Sequence, residues 1–209
     1  MKKIGVTLRH CSPTGYHEPR DGIARDWYRF FSALGLGNRW VLLPNLQADT
    51  PAYAQAQGVD ALIFSGGDDV GCDPVRDTSE RALLAHAIGA HWPVLGVCRG
   101  LQLIHQHFGG QWVPAPTHIH VAQRHGITLL NAEQPLPWAC DREPRTVNSY
   151  HGNRLLAPTA ALRPWASDEQ GHCEAVVHAH LKIAGVMWHP EREPTPSEHD
   201  LHLCRWLFE

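Results

Sequence analysis

The chain has 209 residues, 43% of them apolar, enough for one domain with a sizeable core. Lysine and arginine number 18 against 21 aspartate and glutamate, and the net charge of −3 offers no basic face for nucleic acid. No apolar run reaches the ~18 residues of a membrane span, and the opening Met1–Leu8 reads as a strand and not as a signal-peptide core. The expectation is a cytoplasmic protein with neither nucleic acid nor membrane as partner.

Strands and helices alternate through the first half. Ile4–Leu8 reads as a buried strand and Gly22–Leu34 as a helix carrying Trp27, Phe30 and Phe31. Trp40–Leu43 is a strand stopped by Pro44, Pro51–Gln57 a short helix, and Val59–Ser65 a strand ending in Gly66-Gly67-Asp68-Asp69. Thr78–His91 has helical spacing, followed by the strand Val94–Val97 and a helix over Leu101–Phe108. Such alternation predicts an α/β domain of three layers, a mostly parallel sheet with helices on both faces. The second half is richer in proline and glycine. Its strands are short (Ile127–Leu130, Arg145–Val147, Ala175–Ala179, Ile183–Met187), and the last two read as an antiparallel pair. They make a small antiparallel addition to the sheet, and a helix over Ser197–Phe208 follows. No repeat or interdomain linker is visible, so residues 1–209 read as a single domain.

The segment Gly96-Val97-Cys98-Arg99-Gly100 ends a strand and opens a helix, the thiol version of a nucleophile elbow. Glycines flank the cysteine because so tight a turn leaves no room for a Cβ beside it. The following helix N-terminus favours a thiolate there. The other cysteines, Cys11, Cys72, Cys140, Cys173 and Cys204, read as small buried hydrophobes, reduced because no C-x-x-C pairing is present. Among 16 histidines, His118-x-His120 and His178-x-His180 would each place two rings on one strand face. Neither has a third ligand at a recognisable spacing, so no metal and no cofactor are expected.

A nucleophilic thiol needs a base, and the base an orienting group. His189 and Glu191 in Trp188-His189-Pro190-Glu191 follow the strand Ile183–Met187, two apart in a segment read as extended, which would point both to one face. Oxyanion donors are expected from the backbone N–H of Arg99, after the nucleophile, and of Gly67, at the end of a strand expected to lie alongside.

These segments, with Val147-Asn148-Ser149-Tyr150-His151, together resemble the class I glutamine amidotransferase superfamily, and within it the γ-glutamyl hydrolase branch. The resemblance covers most of the chain and implies the fold of that superfamily, a flavodoxin-like sheet. It implies that Cys98 attacks a γ-glutamyl carbonyl to form a thioester, with His189 as base and then acid and Glu191 as its orienter. It further implies that Gln102, Ser149, Tyr150 and His151 hold the glutamyl moiety of a small-molecule substrate. The run after the Asn-Ser segment, His151-Gly152-Asn153, departs from the paired histidine and glutamine common in the branch. The N-terminal stretch from Tyr16 to Trp27 is similar to smaller relatives found with capsule genes, which implies γ-glutamyl-CDP-amidate or another γ-glutamyl amine as substrate. On that reading Arg20 and Arg99 would reach a pyrophosphate. The rival expectation is a glutaminase subunit passing ammonia to a partner synthase. Eight tryptophans also leave room for an apolar interface between two copies of the chain.

Overall fold

The computed structural model describes residues 2–115, 120–130, 145–156 and 159–209. Cys140 and His118 lie outside them. Thirteen strands are described: β1 Ile4–Thr7, β2 Arg9–Cys11, β3 Arg20–Gly22, β4 Trp40–Leu43, β5 Ala61–Phe64, β6 Val94–Val97, β7 Trp112–Pro114, β8 Val121–Leu129, β9 Arg145–Tyr150, β10 Asn153–Leu155, β11 Leu162–Asp168, β12 Cys173–His178 and β13 Ile183–Val186. The α-helices are α1 Asp26–Ala33, α2 Thr50–Ala56, α3 Pro74–Gly89, α4 Arg99–His107 and α5 Glu198–Phe208.

The central sheet runs β4-β1-β5-β6-β13-β12-β11-β8-β9. Every pairing from β4 through β13 is parallel, and every pairing from β13 through β9 is antiparallel. The expected α/β sheet is therefore present, and its antiparallel part continues the same sheet. Strands β2 and β3 form a separate hairpin. This hairpin takes Gly22 out of the predicted first helix, which starts only at Asp26. Helix α3 begins four residues before the expected Thr78, because Pro74 suits a first helical position and the Asp73 carboxylate accepts from the N–H groups of Val75 and Arg76.

Alternation along the strands sends successive side chains to opposite faces, and two cores result. On one face Ile4, Val6, Ile63, Leu95 and Val97 pack with Phe30 and Phe31 of α1 and Leu203 and Leu207 of α5. On the other, Leu62, Phe64 and Val94 pack with Leu83 and Leu84 of α3 and Leu101 and Ile104 of α4.

Strands β6 and β13 are neighbours in register, Val97 opposite Val186. Their C-terminal ends therefore deliver Cys98 and, three residues past Val186, His189 to one edge of the sheet. Clefts at such strand ends are where open α/β sheets hold ligands. Two glycines let α4 start so abruptly. A Cβ on Gly96 would lie 2.6 Å from Ile104 Cδ1, and one on Gly100 would run into the Phe64 carbonyl. We therefore expect Gly100→Ala to cost about 1–3 kcal/mol of stability in urea unfolding; an unchanged midpoint would show that β5 and α4 are not so tightly apposed.

Candidate active site

Cys98 sits at φ 52°, ψ −106°, a left-handed backbone that a side-chain-bearing residue adopts at a cost of roughly 1–3 kcal/mol. The turn tips the side chain off the strand axis while α4 presents its N-terminus beneath it. Cys98 is 5% exposed, and its thiol is hydrogen-bonded to the His189 ring. Glu191 Oε1 lies 2.7 Å from His189 Nδ1, so the ring's other nitrogen is the one left for the sulfur.

The sequence reading of an extended His189–Glu191 segment is corrected here. His189 is extended, but Pro190–Arg192 is a single 3-10 turn. Proline fits the start of that turn, and the turn, not strand alternation, carries the Glu191 carboxylate back to the ring.

Charge at the site follows from this chain of contacts. Burial opposes ionisation of Cys98, but the His189 charge and hydrogen bond, the charge of His151 and the Arg99 backbone N–H together lower its pKa. Burial likewise disfavours a charged His189, yet the Cys98 thiolate and Glu191 raise it to about 9. The two shifts describe one coupled thiolate–imidazolium pair. Cys173 and Cys204 lack such partners, and burial pushes them up, to about 12 and well above the ordinary thiol value. The reading of both as inert buried thiols holds, whereas Cys11 and Cys72 are exposed.

The Gly66-Gly67 loop is held from behind. Arg76 Nη2 donates to the Ser65 carbonyl at 2.8 Å and, with Nη1, to the Gly66 carbonyl at 3.2 Å each. A planar trans peptide then aims the Gly67 N–H away from Arg76. A Cβ on Gly66 would sit 2.6 Å from His189 Cε1, so glycine is what lets this backbone lie against the ring. Gly67 has φ +150°, and a Cβ there would collide with the Arg76 guanidinium.

Sequence reasoning missed what fastens these parts. Glu80 on α3 is fully buried and accepts from Arg76 Nε at 3.0 Å, from the Thr7 hydroxyl at 2.7 Å and from Arg99 Nη1. Arg99 also pairs with Asp77. Burial would raise the Glu80 carboxyl, but the two guanidiniums and the hydroxyl hold it below its ordinary range. The expectation that Arg99 reaches a pyrophosphate is thus overturned: its side chain is 2% exposed and spent on Glu80 and Asp77. Its backbone N–H still faces the sulfur. The i,i+4 pair Arg76–Glu80 was the available signal, on a helix whose other buried residues look ordinary.

In the sequence Asn148 stands only as one residue of the Val147–His151 segment. Its amide clamps the base, Oδ1 accepting from the His189 N–H at 3.0 Å and Nδ2 donating to the His189 carbonyl at 2.8 Å. Of the expected substrate contacts, Gln102 is buried with Oε1 lacking a partner among the described residues. The Ser149 hydroxyl donates to the His120 carbonyl at 2.7 Å. Tyr150 is exposed, its ring edge-on to His189 at 5.6 Å and covered by the Arg192 guanidinium at 4.1 Å. His151 is turned inward instead, with Nδ1 2.8 Å from the Asn153 carbonyl and Nε2 3.6 Å from Glu174. Arg20 is exposed on the β2–β3 hairpin, bonded to Tyr16 and Glu18 and not brought to the Cys98 group by any described contact. A narrow cleft beside His189 is lined by Arg9, Trp27, Ser65, Gly66 and Arg192. A wider one, beneath Arg124, Trp165 and Trp188, includes neither Cys98 nor His189.

The sheet ends bring a thiol, an imidazole and a carboxylate together, and comparison with known proteins gives the class, a glutamine amidotransferase-like hydrolase of amide bonds. Residues 4–191 match the family model Peptidase C26, and the chain belongs to that family. It is 28% identical to the gamma-glutamyl-CDP-amidate hydrolase of Campylobacter jejuni over 91% of this chain and 90% of that one. It is 35% identical to anthranilate synthase component 2 of Mycobacterium tuberculosis over 71% of this chain and 65% of that one. A glutamine amidotransferase structure from Thermotoga maritima superposes with a TM-score of 0.66 at 12% identity, covering 98% of this chain and 84% of that one, and so shares the fold. No described helix is long and apolar enough to cross a membrane.

Removing one member of the buried Glu80 cluster should be costly. We expect Glu80→Gln to lose about 3–5 kcal/mol in chemical denaturation, and a loss under about 1 kcal/mol would mean that Arg76 and Arg99 hold the two loops without it.

Proposed function

We propose that the chain is a free-standing cysteine hydrolase that releases glutamate from a γ-glutamyl amide or amidate. The observation that carries the reading is the unbroken series from the Cys98 thiol through the His189 ring to Glu191 Oε1. The Cys98 thiolate attacks the γ-carbonyl carbon, and its electron pair becomes the new C–S bond. The backbone N–H groups of Arg99 and Gly67 receive the negative oxygen of the tetrahedral intermediate. His189 gives its proton to the leaving nitrogen as the C–N bond breaks, which leaves a γ-glutamyl thioester. Water then attacks the thioester, His189 takes its proton, and glutamate leaves as the thiolate re-forms. Glu191 holds the ring in the required orientation throughout and does not itself take the proton.

The substrate we favour is γ-glutamyl-CDP-amidate, the intermediate of phosphoramidate capsule decoration. Support comes from the relative that this chain matches over 90% of its length. The unpartnered Gln102 Oε1 is an acceptor for the α-ammonium of a glutamyl group, and the resemblance assigns its carboxylate to the Ser149–Tyr150 backbone. With Arg99 buried, Arg9 and Arg192 in the cleft beside His189 are the cations placed for a diphosphate, a role for which Arg20 has no contact in its favour.

Purified protein is to be offered γ-glutamyl-CDP-amidate, glutamine and γ-glutamyl-γ-aminobutyrate, with glutamate followed by mass spectrometry. The first should turn over fastest, Cys98→Ala should abolish release while keeping the fold, and Glu191→Gln should be milder. Folded protein that releases glutamate from none of them would refute the reading. The similarity to anthranilate synthase component 2 supports a second one, a glutaminase that delivers ammonia to a partner synthase. It predicts negligible activity alone and a rise when a partner is supplied.

The coupled pair also sets a pH profile. The reactive form needs Cys98 ionised and His189 protonated, so kcat/KM should rise as pH climbs through the lowered Cys98 pKa and fall as pH passes about 9, where His189 loses its proton. An alkaline limb near the ordinary imidazole value of about 6.5 would contradict the assignment.

A further inference from the structure

Three histidines and a glutamate converge where the antiparallel half of the sheet meets the site. His120 precedes β8, His125 lies within it, His151 follows β9, and Glu174 is the second residue of β12. One ligand atom from each lies within 4.8 Å of all the others. His120, His151 and Glu174 are 1–2% exposed, and the His125 side chain 9%.

The hydrogen bonds fix which ring nitrogens face inward. His151 Nδ1 lies 2.8 Å from the Asn153 carbonyl and His125 Nδ1 3.1 Å from the Gly126 carbonyl. A carbonyl only accepts, so both rings carry a proton on Nδ1 and turn Nε2 to the centre. There His151 Nε2 lies 3.6 Å from Glu174 Oε1 and His125 Nε2 3.7 Å from Oε2. Neither Nε2, nor Glu174 Oε2, nor either ring nitrogen of His120 has a hydrogen-bond partner among the described residues. Four unpartnered ring nitrogens and a carboxylate oxygen thus crowd one buried centre, an arrangement that a single cation there satisfies all at once. A proton on one ring would reach one carboxylate oxygen and leave the other rings as they are.

The geometry is that of imidazoles around one ion. Zn–N bonds of about 2.0–2.1 Å at tetrahedral angles would set ring centroids roughly 5 Å apart. His120 lies 4.7 and 5.1 Å from His151 and His125, whereas His125 and His151, 6.3 Å apart, would have to close by about 1 Å around a tetrahedral ion. Backbone carbonyls on the far nitrogens are the usual outer partners of metal-bound histidine, and Asp168 Oδ2, 4.0 Å from His120 Nε2, backs the third ring. Three nitrogens and a carboxylate suit a borderline divalent ion of the zinc type, and calcium or magnesium would want oxygen instead.

We propose that His120, His125, His151 and Glu174 form a structural site for a zinc-type divalent ion, clamping β8, β9 and β12 behind the strand segment whose Asn148 holds His189. Four protein ligands close the site, so the ion has no open position for substrate. The proposal is independent of the reaction assigned to Cys98.

The test uses the full chain, purified without chelators and loaded separately with Zn²⁺ and Co²⁺. Elemental analysis should find one zinc per chain. The cobalt form should show the intense visible bands of four-coordinate nitrogen and oxygen ligation, with no thiolate charge-transfer band. Cys98→Ala should bind equally, and His120→Asn and His125→Asn should each weaken binding by at least about tenfold. No bound ion at saturating zinc, a thiolate band, or undiminished binding by either histidine variant would overturn the proposal. If the variants do not fold, the cobalt spectrum of the parent chain decides alone.

Discussion

A thiol buried at the end of an apolar sheet ordinarily keeps its proton, as Cys173 and Cys204 do in this same molecule. Cys98 escapes that rule because ionising it is coupled to charging His189, which is itself buried against Glu191. Neither charge would be tolerated alone; together they neutralise each other where water cannot. Everything else in the architecture serves to keep sulfur, ring and carboxylate in contact, and the means are mostly backbone geometry. The left-handed turn at Cys98, the 3-10 turn at Pro190–Arg192 and the in-register ends of β6 and β13 each set one distance in the series.

Behind this pair lies a second electrostatic layer. Glu80 gathers Thr7, Arg76 and Arg99, and so ties the end of β1, the Ser65–Gly67 loop and the first residue of α4 to one point. Arg76 fixes the loop carbonyls, which fixes the opposite direction for the loop N–H groups. Arg99 anchors the helix that presents its own N–H to the sulfur. One buried carboxylate thus sets the relative position of the two backbone donors, while Asn148 does the corresponding work on the His189 side. On the proposed reading, a substrate entering this site would meet donors and a nucleophile already in place.

Much of this was legible in the sequence, and the pattern of misses is physical. The elbow was readable because strand, glycines and helix start must occur within five residues for such a turn to exist. The parallel strands were readable because burial on both faces makes them continuous apolar runs. Strands β2, β3, β7, β10 and β11 were not, being short, irregular or half-exposed. Arg99 was misjudged because an arginine beside a nucleophile suggests an anion, and only tertiary packing reveals Glu80 and Asp77 around it. The His120–His125–His151–Glu174 cluster was hidden for the same reason: only His120 stood in a recognisable pair, and its partners come from segments far apart in sequence.

The site works as proposed only if Cys98 is the thiolate of an ion pair. Its ultraviolet thiolate absorbance, titrated against Cys98→Ser as the blank, reports that directly. A single thiolate that is lost only as pH falls below the ordinary thiol pKa of about 8.5 is the expected result. Titration at or above that ordinary value would mean that burial wins at Cys98 as it does at Cys173, and that the coupled pair does not exist.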